Sequence, residues 1–246
     1  MKTIHILWLR QLKRYYMSKA RMFGTLAQPL LLLVALGFGP IYAKAGGGNY
    51  LDFLAPGVIA MGVLFTSVFS GIEIIWDRQF GFLKETLVAP VSRLKIMAGR
   101  TLGGATVAVI QGTLILMITL LLGFRPYSFW MIPLAFVFMI LIAFIFTALG
   151  TAIASVLEDM QGFHFIMNFI VMPIFFLSGA LFPLEGLPGA IGIVTKIDPL
   201  AYGVDGLRGA LSNAAHFGMV HDLAVLSVIA VVFLVIGSYL FSKIQV

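Results

Sequence analysis

The chain of 246 residues is 61% hydrophobic and only 11% charged, with a mean hydropathy of +1.06. Soluble domains are nearer half apolar and a quarter charged, so this composition excludes water as the main solvent. The net charge of +6 would suit nucleic acid, but the basic residues sit at the ends of apolar runs, where topology control explains them better.

In chain order, residues 3–16 come first. Ile4, Leu7, Trp8, Leu12 and Tyr15 share one helical face, and Lys2, Arg10, Lys13 and Arg14 the other. That is the pattern of a helix lying in the headgroup region, with a plain positive flank to the first span as the alternative. The next run, 22–42, is longer than the 7–15 residues of a signal core, so Ala43-Lys44-Ala45 is read as a loop and not a cleavage site. Six membrane-spanning helices are predicted, over 22–42, 53–75, 96–122, 128–156, 162–181 and 219–242. Gly46–Asn49 reads as a flexible outer loop, Gly123–Pro126 as a tight turn, and Glu158–Gly162 as a short inner return. With the N-terminus inside, twelve basic residues fall on the cytoplasmic side and only Lys44, Arg125, Lys196 and Arg208 outside. This bias puts both termini in the cytoplasm, in the plasma or inner membrane. No repeat or linker interrupts the chain, which reads as one membrane domain over 1–246.

The stretch 182–217 is apolar but broken by Pro183, Pro188 and Pro199. Neither piece can cross about 30 Å of hydrocarbon, so two short re-entrant helices between spans five and six are expected. A surface loop is the alternative.

Motifs for chemistry are missing. No G-x-x-x-x-G-K-[ST] is present to cradle phosphates, and the four histidines share no metal-ligand spacing. With no cysteine there is no thiol chemistry. The chain is therefore read as a non-enzyme without metal or catalytic residues. Glu73, near the inner end of the second span, reads as either a headgroup anchor or a gating carboxylate facing protein. His164 and Asn168 suggest an interhelical polar contact or, less simply, a substrate ligand; Gly99 and Gly103 permit close helix packing. Ser67, Ser70, Thr113, Thr119 and Asn168 are scattered polar points of an otherwise apolar pathway.

The loop from Trp76 to Arg100 is too apolar for an idle linker. Phe80, Leu83, Leu87 and Val88 recur at helical spacing, Lys84 and Glu85 lie elsewhere on the wheel, and Pro90 ends the helix. A short amphipathic helix of this kind offers a partner an apolar knob with charged neighbours; an interfacial helix without a partner is the alternative.

The run from Phe53 to Arg93, FLAPGVIAMGVLFTSVFSGIEIIWDRQFGFLKETLVAPVSR, resembles permeases of type-2 ATP-binding-cassette exporters, especially the daunorubicin-resistance branch. A second, more degenerate match runs from Ile174 through Leu177–Ala180 and Leu187-Pro188 to Pro199–Tyr202 and Arg208. The resemblance implies a homodimer or heterodimer of permeases in membrane lipid, each with a separately encoded ATPase. Two ATPase copies would bind ATP and Mg, leaving no cofactor on this chain and no role for nucleic acid. It also implies that Asp77, Arg78, Phe80, Gly81, Phe82, Leu83, Lys84, Glu85, Leu87, Ala89, Pro90 and Arg93 form the coupling helix seated on the ATPase. Ser178, Gly179, Pro183, Pro199, Tyr202 and Arg208 would then belong to the outer rim, with Glu73 and Asn168 as further gating or pathway candidates. The cargo expected is a drug or lipid moved outward. A lipid-linked polysaccharide or ion permease, or a six-span scaffold without transport, is the alternative.

Overall fold

The computed structural model describes residues 2–37, 50–88, 90–184 and 189–243. Among them every regular element is helical. Two helices open the chain, α1 (Lys2–Met17) and α2 (Lys19–Gly37). Then come α3 (Tyr50–Phe69), α4 (Ile72–Gln79), α5 (Phe82–Val88) and α6 (Arg93–Leu121). A single 3-10 turn leads into α7 (Ile132–Val156), and α8 (Met160–Ile166) joins α9 (Met172–Leu177) through a π-helical turn. The chain closes with α10 (Gly189–Ile197), α11 (Pro199–Ser212) and α12 (Met219–Ser242).

Five segments are long and apolar enough to cross a membrane: Tyr50–Gln79, Arg93–Leu121, Phe129–Val156, Met160–Leu177 and Met219–Ser242. Each overlaps a predicted span. The predicted first span is the exception. Its described part ends at Gly37, within α2 (Lys19–Gly37). It counts as a sixth crossing only together with α1, from which its axis bends by 69°. Residues 38–42, the Ala43–Ala45 segment and the Gly46–Asn49 loop lie outside the described residues.

The bundle is built around α3. In its most apolar window 89% of the segment is buried inside the protein, against 17% for Met219–Ser242, so α3 is the axle and α12 the perimeter. Backbone contact makes this possible where α3 passes into α4. A Cβ on Gly71 would lie 2.3 Å from the Gly150 carbonyl of α7, and one on Gly150 would lie 2.4 Å from the Val68 carbonyl. Only hydrogen fits on either side, so the two helices cross at van der Waals distance of their main chains.

Two short helices do follow the fifth span. The surface-loop alternative fails for α11, which is buried from Leu200 to Leu211 and packs on α3, α7 and α12. Asp198 caps its first turn by accepting from the Leu200 amide at 2.8 Å. Its last turn accepts a 2.8 Å bond from the Tyr127 amide, which ties the turn before α7 to it. Residues 185–188, and with them Leu187-Pro188, lie outside the described residues.

Gly150→Val is expected to cost about 1–3 kcal/mol by overpacking. Gly24→Val, where nothing lies within 4 Å of the new carbon, should be silent. Melting of the two purified proteins in detergent checks this; equal midpoints would contradict the crossing.

Candidate functional site

The second span does not end at Phe69. After the break at Ser70-Gly71 it continues as α4, and its Glu73 and Asp77 stand four residues apart on one face, both buried. Three arginines converge on them. Arg10 reaches Asp77 at 2.7 Å, and Arg14 spans both carboxylates at 3.1 Å to Asp77 and 3.4 Å to Glu73. Arg100, itself buried in α6, takes the second oxygen of Asp77. Removing two charges from water costs several kcal/mol each, so such a cluster is sustained only because every carboxylate oxygen of Asp77 has a cation.

These partners depend on the docking of α1. Gly99 and Gly103 of α6 do permit close packing, and the helix they admit is α1: a Cβ on Gly99 would meet the Ile4 backbone and Leu7, and one on Gly103 would meet Gln11. Trp8 Nε1 donates to Thr106 at 3.0 Å, and Tyr15 bonds Gln111 in the interior. The helix read as lying in the headgroup region is packed on α6 by Leu7, Gln11 and Tyr15. Arg10 and Arg14, read on the face opposite the apolar stripe, pair with the carboxylates of α4. The opposite flank of α4 is held by Arg78, which donates to the Leu157 and Ser155 carbonyls at the end of α7, at 2.8 and 3.2 Å. Arg78 and Asp77 thus position α4 and are not on an exposed docking face.

Gly81, at φ +81°, adopts the left-handed conformation that turns the chain from α4 into α5. The predicted apolar stripe splits on α5. Leu83 is fully buried and anchors the helix, while Phe80 (74% exposed), Phe82 (50%) and Val88 (85%) project outward. Arg10 lies 5.9 Å from the Phe82 ring centroid, so the exposed ring borders the arginine cluster. Glu85 and Pro90 are exposed. The side chains of Lys84 and Leu87, and all of Ala89, lie outside the described residues. Arg93 starts α6 and donates to the Ser242 carbonyl of α12, away from α5.

At the other end of α3 a second constellation gathers the rim candidates. The Ser178 hydroxyl donates to the Phe175 carbonyl at 2.8 Å, and Gly179 (φ +77°) offers its carbonyl to Arg208 at 2.9 Å. The Arg208 guanidinium covers the Phe53 ring at 3.9 Å. Burial lowers its pKa to about 10, against the pull of Asp205, so it stays a cation at neutral pH. Tyr202 donates to the Lys196 carbonyl at 2.6 Å, and Pro199 is the first residue of α11. Burial raises the Asp198 carboxyl to about 7, against the backbone amides that it caps. Pro183 lines a pocket of about 270 Å³ with Phe53, Asp205, Arg208 and His216. Asp205 accepts the amides of His216 and Phe217 at 2.7–2.9 Å, a link that the sequence did not disclose.

The remaining candidates are placed apart. Glu73 belongs to the arginine cluster. Asn168 is exposed on the π-helical turn and donates to the His164 carbonyl of its own helix at 3.1 Å, and among the described residues no hydrogen bond joins it to another helix. Ser67, Ser70 and Thr119 are buried within this chain, and Ser70, Thr113 and Thr119 donate to carbonyls of their own segments. They line no wall.

Comparison with known proteins gives a family. The ABC-2 type transporter profile matches residues 2–212. A protein named transport permease ycf38 from Cyanophora paradoxa is 28% identical over 253 residues, covering 95% of this chain and 84% of its own. Nodulation protein J from Rhizobium meliloti (strain 1021) is 29% identical over 223 residues, covering 86% and 84%. A ycf38 permease from Porphyra purpurea is 27% identical over 219 residues, covering 86% and 75%.

Asp77→Asn should destabilise the protein by about 3–5 kcal/mol, because Arg100 is left buried without its counter-charge. The double variant Asp77→Leu with Arg100→Met should recover most of that loss. Unfolding of the purified proteins in detergent reads both; a silent single variant would contradict the cluster.

Proposed function

The chain belongs to the ABC-2 type transporter family, and from that premise we propose that it is the permease of an exporter driven through α5. Family membership makes it a multi-pass membrane permease of an ABC transporter, which works with an ATPase partner. The finer reading is ours. Both termini face the cytoplasm, the whole chain acts as one membrane domain, and two permeases assemble with two ATPase copies. The daunorubicin-resistance-like branch is favoured by the Phe53–Arg93 run.

One observation carries the mechanism. Behind the exposed Phe80, Phe82 and Val88, a single turn at Gly81 leads to a helix ion-paired to α1 and α6 and hydrogen-bonded to the end of α7. A push on the knob is delivered to three helices at once and does not dissipate in a loop. The partner groove is expected to be apolar, with an acidic or polar margin opposite the arginines.

The cargo proposed is an amphipathic lipid or drug. The outer face of Met160–Leu177 exposes Phe165, Phe169 and Phe176, with Phe165 and Phe169 stacked at 4.4 Å, and carries His164 and Asn168 among them. That face offers apolar area with isolated polar contacts. The same aromatic strip favours a lipid-linked glycan as the second reading.

Phe80→Asp and Phe82→Asp should abolish copurification with the ATPase and its stimulation in lipid, while leaving the melting of the permease alone unchanged. Leu83→Asp is unsuitable, since it would disrupt folding. Full stimulation with Phe80→Asp and Phe82→Asp combined would refute α5 as the input.

A further inference from the structure

The turn that joins α6 to α7 presents aromatic side chains outward. Trp130 is 92% exposed, and Tyr127 and Phe129 are exposed with it. Phe129 and Trp130 belong to the 3-10 turn that opens α7. Val137 and Ile140, exposed on the same face, lie about 10 and 15 Å further along that helix. The end of α6 that leads into the turn exposes Met117 and Leu121. Arg125, also exposed, lies within the connection itself. Outward side chains thus run from aliphatic on the two helices, through aromatic at their ends, to a cation in the turn. That is the order of hydrocarbon, headgroup layer and water.

We propose that this turn is an anchor for the headgroup layer of the bilayer, with the rings of Phe129 and Trp130 among the lipid carbonyls, and that it holds the last turn of α11 at a fixed height. Span length places it there. Phe129–Val156 has 28 residues, or about 42 Å of helix, against roughly 30 Å of hydrocarbon and 40–45 Å with headgroups. Each end therefore falls in a headgroup layer. Side-chain chemistry selects the same depth. In water the rings would leave a wide apolar area uncovered, and in hydrocarbon the indole N–H and the Tyr127 hydroxyl would have no acceptor. The interface satisfies both halves. A second copy of this chain fits the surface less well. Helices associate in a membrane through small or hydrogen-bonding side chains, and Met117, Leu121, Val137 and Ile140 are neither. The turn is also tied to the rim. Phe124 is buried in the core, and the Tyr127 amide donates to the Leu211 carbonyl at 2.8 Å. The Ser212 hydroxyl, next along α11, donates to the Asp52 carbonyl at 2.7 Å. The choice of the outer leaflet rests on the orientation proposed above; the depth does not.

Tryptophan fluorescence of the full-length chain in phosphatidylcholine vesicles tests the anchor. Subtracting the signal of Trp130→Phe from that of the parent isolates this one indole. Trp8 and Trp76, which donate hydrogen bonds within the bundle, stay in place. The vesicles carry lipid brominated either near the top of the acyl chain or near its methyl end. The Trp130 emission should lose most intensity with the shallow bromines and clearly less with the deep ones. Greater loss with the deep bromines, no loss with either, or disulfide capture between two Trp130→Cys copies would overturn the anchor. Hydrogen exchange in the same vesicles tests the tie to α11. Phe129→Ser with Trp130→Ser should speed exchange of the Tyr127 amide severalfold and leave the Ile142 amide of the core unchanged. Unaltered exchange at Tyr127 would overturn that tie. Neither readout needs the ATPase or a sided membrane, so a failure of the exporter reading would leave both results unchanged.

Discussion

A carboxylate held out of water by three arginines is the constraint on which this bundle is organised. With Arg10, Arg14 and Arg100 paired to Asp77, the helices that carry those arginines cannot drift from α4 without leaving a buried charged group without its partner. Hydrophobic contact in a membrane is nearly indifferent to which apolar faces meet, because lipid tails solvate them as well as a neighbouring helix does. The ion cluster supplies the specificity that apolar packing lacks. It fixes α1 to α4 and α6, and it does so directly behind the exposed end of α5.

The far end of α3 is fixed by other means. There Arg208 joins the Gly179 carbonyl to the Phe53 ring, Asp205 gathers the amides of the turn before α12, and Asp198 caps α11. These are charge-assisted bonds to backbone and not ion pairs between helices. One end is therefore cross-linked helix to helix, while the other pins loops onto helices. In the proposed orientation, force enters at the stiff end and substrate leaves at the end where the rim is held by single bonds. The glycine crossing with α7 lies at the junction of α3 and α4, next to the arginine cluster.

Much of this was legible from residue order, for reasons that are physical. Five of the spans follow from run length, since about 20 apolar residues have few alternatives in a bilayer. The helix at Phe82–Val88 follows from the glycine before it and the proline after it. What failed was rotational phase. Leu83 and Phe82 are neighbours of similar hydrophobicity, and only tertiary packing decides that Leu83 is the anchor and Phe82 the knob. The same ambiguity hid the His164–Asn168 geometry, where a π-helical turn shifts the faces. The Asp77 cluster left a trace that can be used in retrospect: Glu73 and Asp77 repeat at four residues, as do Arg10 and Arg14. Two complementary pairs at matching spacing are a contact hypothesis, but their 60-residue separation conceals it. The bend after α1 had no strong sequence signal.

In the proposed mechanism α1, α4 and α5 move as one body when nucleotide is hydrolysed. The parent chain has no cysteine, so spin labels can be placed at Lys13 on α1 and Val88 on α5 without background. The distance between them, measured in the lipid-reconstituted complex with its ATPase, should be the same without nucleotide and with nucleotide trapped, while distances from either label to α12 change. A change in the Lys13–Val88 distance between the two states would contradict the rigid coupling on which the mechanism rests.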